Sequence, residues 1–164
     1  MNLLLVIAIT MEILIVAYLD FKLKKISNYW VVLNIILSAV FYLFWSTQYP
    51  WSWELFLFPV GFVFLGFVLF LMNIMGAGDS KYLASLFLII PVEYHLPFFE
   101  KIIYSTLIVG AISLIIKIFQ NFRKMKVFIF SYYWAGVKDI IKSRMSYAPV
   151  IFLAWLLFGV SLWK

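Results

Sequence analysis

Apolar runs separated by short polar stretches dominate this chain. The runs are Met1 to Leu19, Tyr29 to Trp45, Leu55 to Ile74, Leu83 to Val92, Ile102 to Phe119, and Tyr147 to about Trp163. Most approach the roughly 20 apolar residues that a helix needs to cross a bilayer core. The fourth is short and draws on the loop after it, where Pro91 and Pro97 accompany Glu93, His95 and Glu100. Another stretch, Val127 to Val137, is apolar and aromatic but only 11 residues long. It is too short to span and is expected to lie along the membrane surface. The pattern predicts an all-α fold: a polytopic integral membrane helix bundle of about six transmembrane helices. No repeat, linker or low-complexity tract divides it, so a single domain over residues 1–164 is expected. Met1 to Leu19 has neither a basic start nor a small-residue cleavage site, and reads as a first span rather than a signal peptide.

The polar stretches orient the bundle. Asp20 to Asn28 carries Lys22, Lys24 and Lys25, whereas Ser46 to Trp53 has no Lys or Arg. Tyr49, Trp51 and Trp53 in the latter suit an interfacial aromatic belt. With the lysine-rich loop inside, only Lys101 and Lys164 of the 13 basic residues fall outside. That bias places both termini outside and the loops at Asp20 and Asp79 in the cytoplasm.

Composition agrees. Apolar residues make up 66% of the chain and charged residues 12%, against roughly 25% charged in a soluble domain. The net charge of +6 then reports contact with anionic lipid rather than with nucleic acid. Cysteine is absent and His95 is the single histidine. This excludes disulfides and the usual zinc ligand sets, and no metal or other cofactor is expected.

The chemistry gathers around Met75-Gly76-Ala77-Gly78-Asp79-Ser80-Lys81-Tyr82. An aspartate at the mouth of a membrane helix is costly and is a functional candidate for that reason. The glycines let the backbone bend and let another segment come close. The competing reading is a plain helix break with a solvated Asp at a loop tip. Asp20 ends the first span on the same side, so topology brings two aspartates to one membrane depth. Glu12 lies eight residues before Asp20, about 12 Å at the helical rise. It should face the bundle interior, either as a buried hydrogen-bonding group or with a direct role. Two carboxylates that meet share a proton. The ionised one takes a proton from water and the protonated one polarises a carbonyl, which is amide hydrolysis without a nucleophilic side chain. No serine elbow, P-loop or complete dinucleotide fingerprint offers a rival site.

These residues resemble a known family. Gly76-Ala77-Gly78-Asp79 fits the Gly-x-Gly-Asp signature of intramembrane aspartic proteases, and Lys81 follows as in the prepilin leader peptidase family. Asp20 with Ile26 and Asn28 is similar to that family's first aspartate motif, with Ser27 where many members have proline. Ser146-Tyr147-Ala148-Pro149 is similar to its closing proline-containing stretch. The resemblance implies a leader peptidase of the inner (cytoplasmic) membrane that cuts type IV prepilin-like precursors on the cytoplasmic side. It implies Asp20 and Asp79 as the catalytic pair, with Gly76, Gly78, Lys81 and Asn28 as supporting motif residues. Without the Cys-rich domain of larger members, N-methylation of the product is not implied, and the chain looks like the short Tad/Flp-type enzymes. A larger presenilin-like protease is a poorer fit, since the Pro-Ala-Leu motif is missing. The non-enzymatic alternative is a transporter or assembly subunit that uses the aspartates as an ion relay.

Overall fold

The computed structural model describes residues 3–23, 26–45, 51–72, 75–130 and 147–162. Seven α-helices follow one another among the described residues: α1 Leu3–Leu23, α2 Asn28–Phe44, α3 Leu57–Leu71, α4 Ala77–Ile89, α5 His95–Gln120, α6 Phe122–Phe130 and α7 Ala148–Leu162. Short 3₁₀ turns at Trp53–Phe56 and Val92–Tyr94 lead into α3 and α5. With their lead-in turns, three helices are long and apolar enough to cross a membrane: Leu3–Leu23, Trp53–Leu71 and Val92–Gln120. Asn28–Phe44 and Ala148–Ser161 are shorter apolar helices. The chain is therefore a helical membrane bundle, as its hydropathy predicts.

The centre of the bundle is α4, with nine of its 13 residues buried. It packs on α3 and α2, while α7 packs on α5 and α1. Phe87 of α4 anchors an aromatic core, stacking with Phe62 at 4.8 Å and Phe58 at 5.2 Å between ring centroids. The chain continues through Phe98 to Trp155 and Phe158 of α7. Polar side chains pin α7 at two levels: Ser105 donates to the Val150 carbonyl, and the Trp155 indole donates to the Thr10 hydroxyl at 2.8 Å.

Gly66 on α3 marks a close approach between α3 and α4. A Cβ there would fall 2.0 Å from the Ser80 Cβ and 3.3 Å from its Cα. Small residues at such crossings let membrane helices approach until their backbones nearly touch. Gly66→Leu is therefore expected to destabilise the fold by about 1–3 kcal/mol through overpacking. A lowered thermal midpoint in detergent, with Gly61→Leu unchanged because nothing lies within 4 Å of a Cβ at Gly61, is the expected readout.

Several boundaries differ from those the sequence suggests. The first helix runs past Leu19 to Leu23, because Asp20, Phe21, Lys22 and Leu23 include no helix-breaking Gly or Pro. Asp20 thus lies inside its last turns rather than in a loop. The fourth helix starts at Ala77, six residues before Leu83, since Gly76 caps it and Asp79 sits in its first turn. The fifth starts at His95 rather than Ile102. Pro97 is tolerated because the N–H groups of a first turn have no partner within the helix. The fourth helix therefore takes nothing from the loop after it, and that loop is mostly the start of α5. His95 is buried and its Nε2 lies 2.8 Å from the Ile90 carbonyl. Trp51 and Trp53 are exposed, as a belt requires. The surface segment is described only to Phe130, as α6. Lys24, Lys25, Tyr49, Lys138, Lys142, Arg144, Ser146 and Lys164 lie outside the described residues.

Candidate active site

One end of the bundle collects the residues that the sequence singles out. Asp20, 4% exposed, lies on the buried face of α1 with Val16, Ile13 and Ile9. Between α1 and α2, Ile26 lies in the core at 4% exposure. Ser27 caps α2 with extended backbone, and its hydroxyl accepts the Tyr29 N–H at 3.4 Å. Serine thus has a structural task here: its side chain takes one of the N–H groups left over at a helix start.

The second motif is built by its own hydrogen bonds. The Gly76 N–H donates to Asp79 Oδ2 at 3.2 Å, and the Asp79 N–H donates back to the Gly76 carbonyl at 3.2 Å. Ser80 Oγ donates to the Ala77 carbonyl at 3.2 Å. A carboxylate in the first turn of a helix is also favoured by the exposed N–H dipoles there. Asp79 is consequently held in the first turn of α4 at 8% exposure.

The two motifs touch through Gly78. A Cβ at Gly78 would sit 3.0 Å from the Ile26 carbonyl oxygen and 3.7 Å from the Ile26 Cβ. The backbone six residues after Asp20 therefore presses on the residue immediately before Asp79. This is why glycine is needed at that position. Gly76 has a different neighbour, since a Cβ there would meet Asp79 Oδ2 at 3.0 Å.

A third segment closes the site. Tyr147, directly before α7, donates to or accepts from Thr106 Oγ1 at 2.9 Å. The opening of the last helix thus stands within electrostatic reach of Asp79. Nothing in the first two motifs pointed to Thr106, because its link to the site runs through a side chain 41 residues away.

The remaining motif residues lie at the rim. Lys81 is exposed on α4, and Asn28 is exposed as the first residue of α2. Asn28 helps line an open cleft of about 700 Å³ with Leu23, Ile26, Ser27, Tyr29 and Val32. The cleft is mostly apolar and lies where α1 passes into α2, beside the Ile26–Gly78 contact.

A model of the type IV leader peptidase family matches residues 5–119, the part of the chain that holds both aspartate motifs. No curated protein and no solved structure matches the chain.

Proposed function

The chain belongs to the type IV leader peptidase family, a family of proteases that act on prepilin-like substrates, and from that premise we propose that it is an aspartic endopeptidase whose catalytic pair is Asp20 and Asp79. It removes the leader of a type IV prepilin-like precursor at the cytoplasmic face of the inner membrane. The observation that carries this reading is the Ile26–Gly78 contact, which joins the two aspartate-bearing segments at one end of the bundle. The excess of lysine and arginine on that side supports its cytoplasmic orientation.

The reaction needs only water and the two carboxyl groups. The ionised carboxylate takes a proton from water as the oxygen attacks the scissile carbonyl carbon. The protonated partner hydrogen-bonds the carbonyl oxygen and stabilises the negative charge that develops there. The tetrahedral intermediate collapses as the C–N bond breaks, and the leaving nitrogen takes a proton from the pair. The products are a leader with a new carboxylate and a mature chain with a new amine. The apolar cleft beside Ile26 receives the beginning of the substrate's hydrophobic helix, and the leader stays on the aqueous side. Gly76 and Gly78 shape the backbone, while Lys81 and Asn28 stand at the rim where substrate enters.

Co-expression with a pilin-like precursor tests the proposal. The expected result is a shortened precursor whose new N-terminus lies just ahead of its hydrophobic helix and carries no added methyl group by mass. A correctly inserted protein that leaves several such precursors uncut, or that cuts within the hydrophobic helix, overturns it.

A further inference from the structure

Deeper in the bundle lies a polar cluster that the cleavage chemistry does not use. Glu12 of α1 is 4% exposed, and Asn34 of α2 and Tyr82 of α4 are fully buried. The Tyr82 hydroxyl and the Asn34 side-chain amide face the Glu12 carboxylate. Asn34 Nδ2 also donates to Ser85 Oγ at 3.0 Å, one turn along α4 from Tyr82. Neither Glu12 oxygen, nor Tyr82 Oη, completes a hydrogen bond of normal geometry among the described residues. A carboxyl group left this way in a bundle core costs free energy, so the cluster is a poor choice for stability alone.

Its position gives it a use. Glu12 shares the buried face of α1 with Asp20, two turns away. Tyr82 follows Asp79 by three residues, about 4.5 Å along the axis of α4. The backbones of these two helices have separate main partners: α1 packs chiefly on α7, and α4 on α3 and α2. At this level α1 and α4 meet through long side chains, with Glu12 and Tyr82 between them.

We propose that Glu12 is a positioning residue: held between Tyr82 and Asn34, its side chain sets the spacing of α1 and α4 and thereby of Asp20 and Asp79. This rests on the dyad reading above. Glu12→Gln keeps the length and an acceptor oxygen, whereas Glu12→Leu keeps volume and discards the polar group. Tyr82→Phe removes the hydroxyl that faces it. Displacing reacting groups by about 1 Å can cost about a hundredfold in rate, so kcat should fall about ten- to a hundredfold in Glu12→Leu and Tyr82→Phe. KM should stay unchanged, because neither residue touches substrate. Glu12→Gln should retain most activity. The double variant Glu12→Leu/Tyr82→Phe should be no slower than the worse single one, since both break one contact. Thermal stability should hold or rise, because an apolar group replaces a poorly satisfied buried carboxyl.

Spin labels read the spacing without any substrate. The chain has no cysteine, so Phe21→Cys and Lys81→Cys label two exposed neighbours of the aspartates cleanly. The Glu12→Leu background should shift or broaden their distance distribution, and Glu12→Gln should not. An unchanged distribution in Glu12→Leu overturns the proposal, as does a loss of activity that tracks a loss of stability. If the wild-type protein cuts no precursor, the dyad reading fails, while the spin-label distances still decide whether Glu12 sets the spacing.

Discussion

Asp79→Asn is expected to abolish leader cleavage, with a rate loss of at least about a thousandfold, while the protein stays folded in the membrane. The size follows from the proposed role: general acid–base groups contribute roughly 10²–10⁴ in rate, and in the proposed dyad the two carboxyls act on the same proton transfers. The intact fold follows from the local structure. Asparagine has the shape of aspartate, and its side-chain oxygen still accepts the Gly76 N–H that now goes to Asp79 Oδ2 at 3.2 Å. The first turn of α4 therefore keeps its cap. What is lost is the ability to hold and release a proton. Asp20→Asn should behave alike, for Asp20 is buried as well, at 4% exposure. The double variant should be barely worse than either single one, because residues that act as a unit lose most of their effect at the first removal. The assay is time-resolved cleavage of precursor in membranes, beside the detergent melting curve of each variant. Normal cleavage by either single variant would show the dyad assignment to be wrong.

Gly78→Ala should reduce cleavage by about a hundredfold although it adds a single methyl group. The new Cβ would stand 3.0 Å from the Ile26 carbonyl oxygen. That neighbour is backbone and cannot swing aside as a side-chain tip can. Relief therefore requires a shift between the start of α4 and the Ile26 backbone, which moves Asp79 relative to Asp20. A displacement of about 1 Å is enough for a loss of that order. Gly110→Ala is the control, since nothing lies within 4 Å of a Cβ at Gly110, and it should cleave at the wild-type rate. Gly76→Ala differs in kind: its Cβ would meet Asp79 Oδ2 at 3.0 Å, and the flexible carboxylate can rotate away. It should lose activity less than Gly78→Ala. The reverse order would mean that the contact with Ile26 does not set the geometry of the site.

Hydropathy alone makes the helical membrane bundle legible, because each apolar run must bury its backbone polar groups in a helix to enter lipid. The same reading places Asp20 and Asp79 at one end, since both lie at the ends of apolar runs on the lysine-rich side. The helix limits are less legible. Phe21 and Leu23 continue α1 beyond Asp20 because helices end at a stop signal, not at a charge. His95 starts α5 because a proline in the first turn costs little. Contacts between segments are not legible at all. That Gly78 faces Ile26, that Tyr147 meets Thr106, and that Glu12 lies between Tyr82 and Asn34 depend on which face each helix turns to its neighbours. In so apolar a chain the hydrophobic face of a helix is nearly its whole circumference, so periodicity cannot choose that face. Close packing chooses it, through small residues such as Gly66 that let two helices approach.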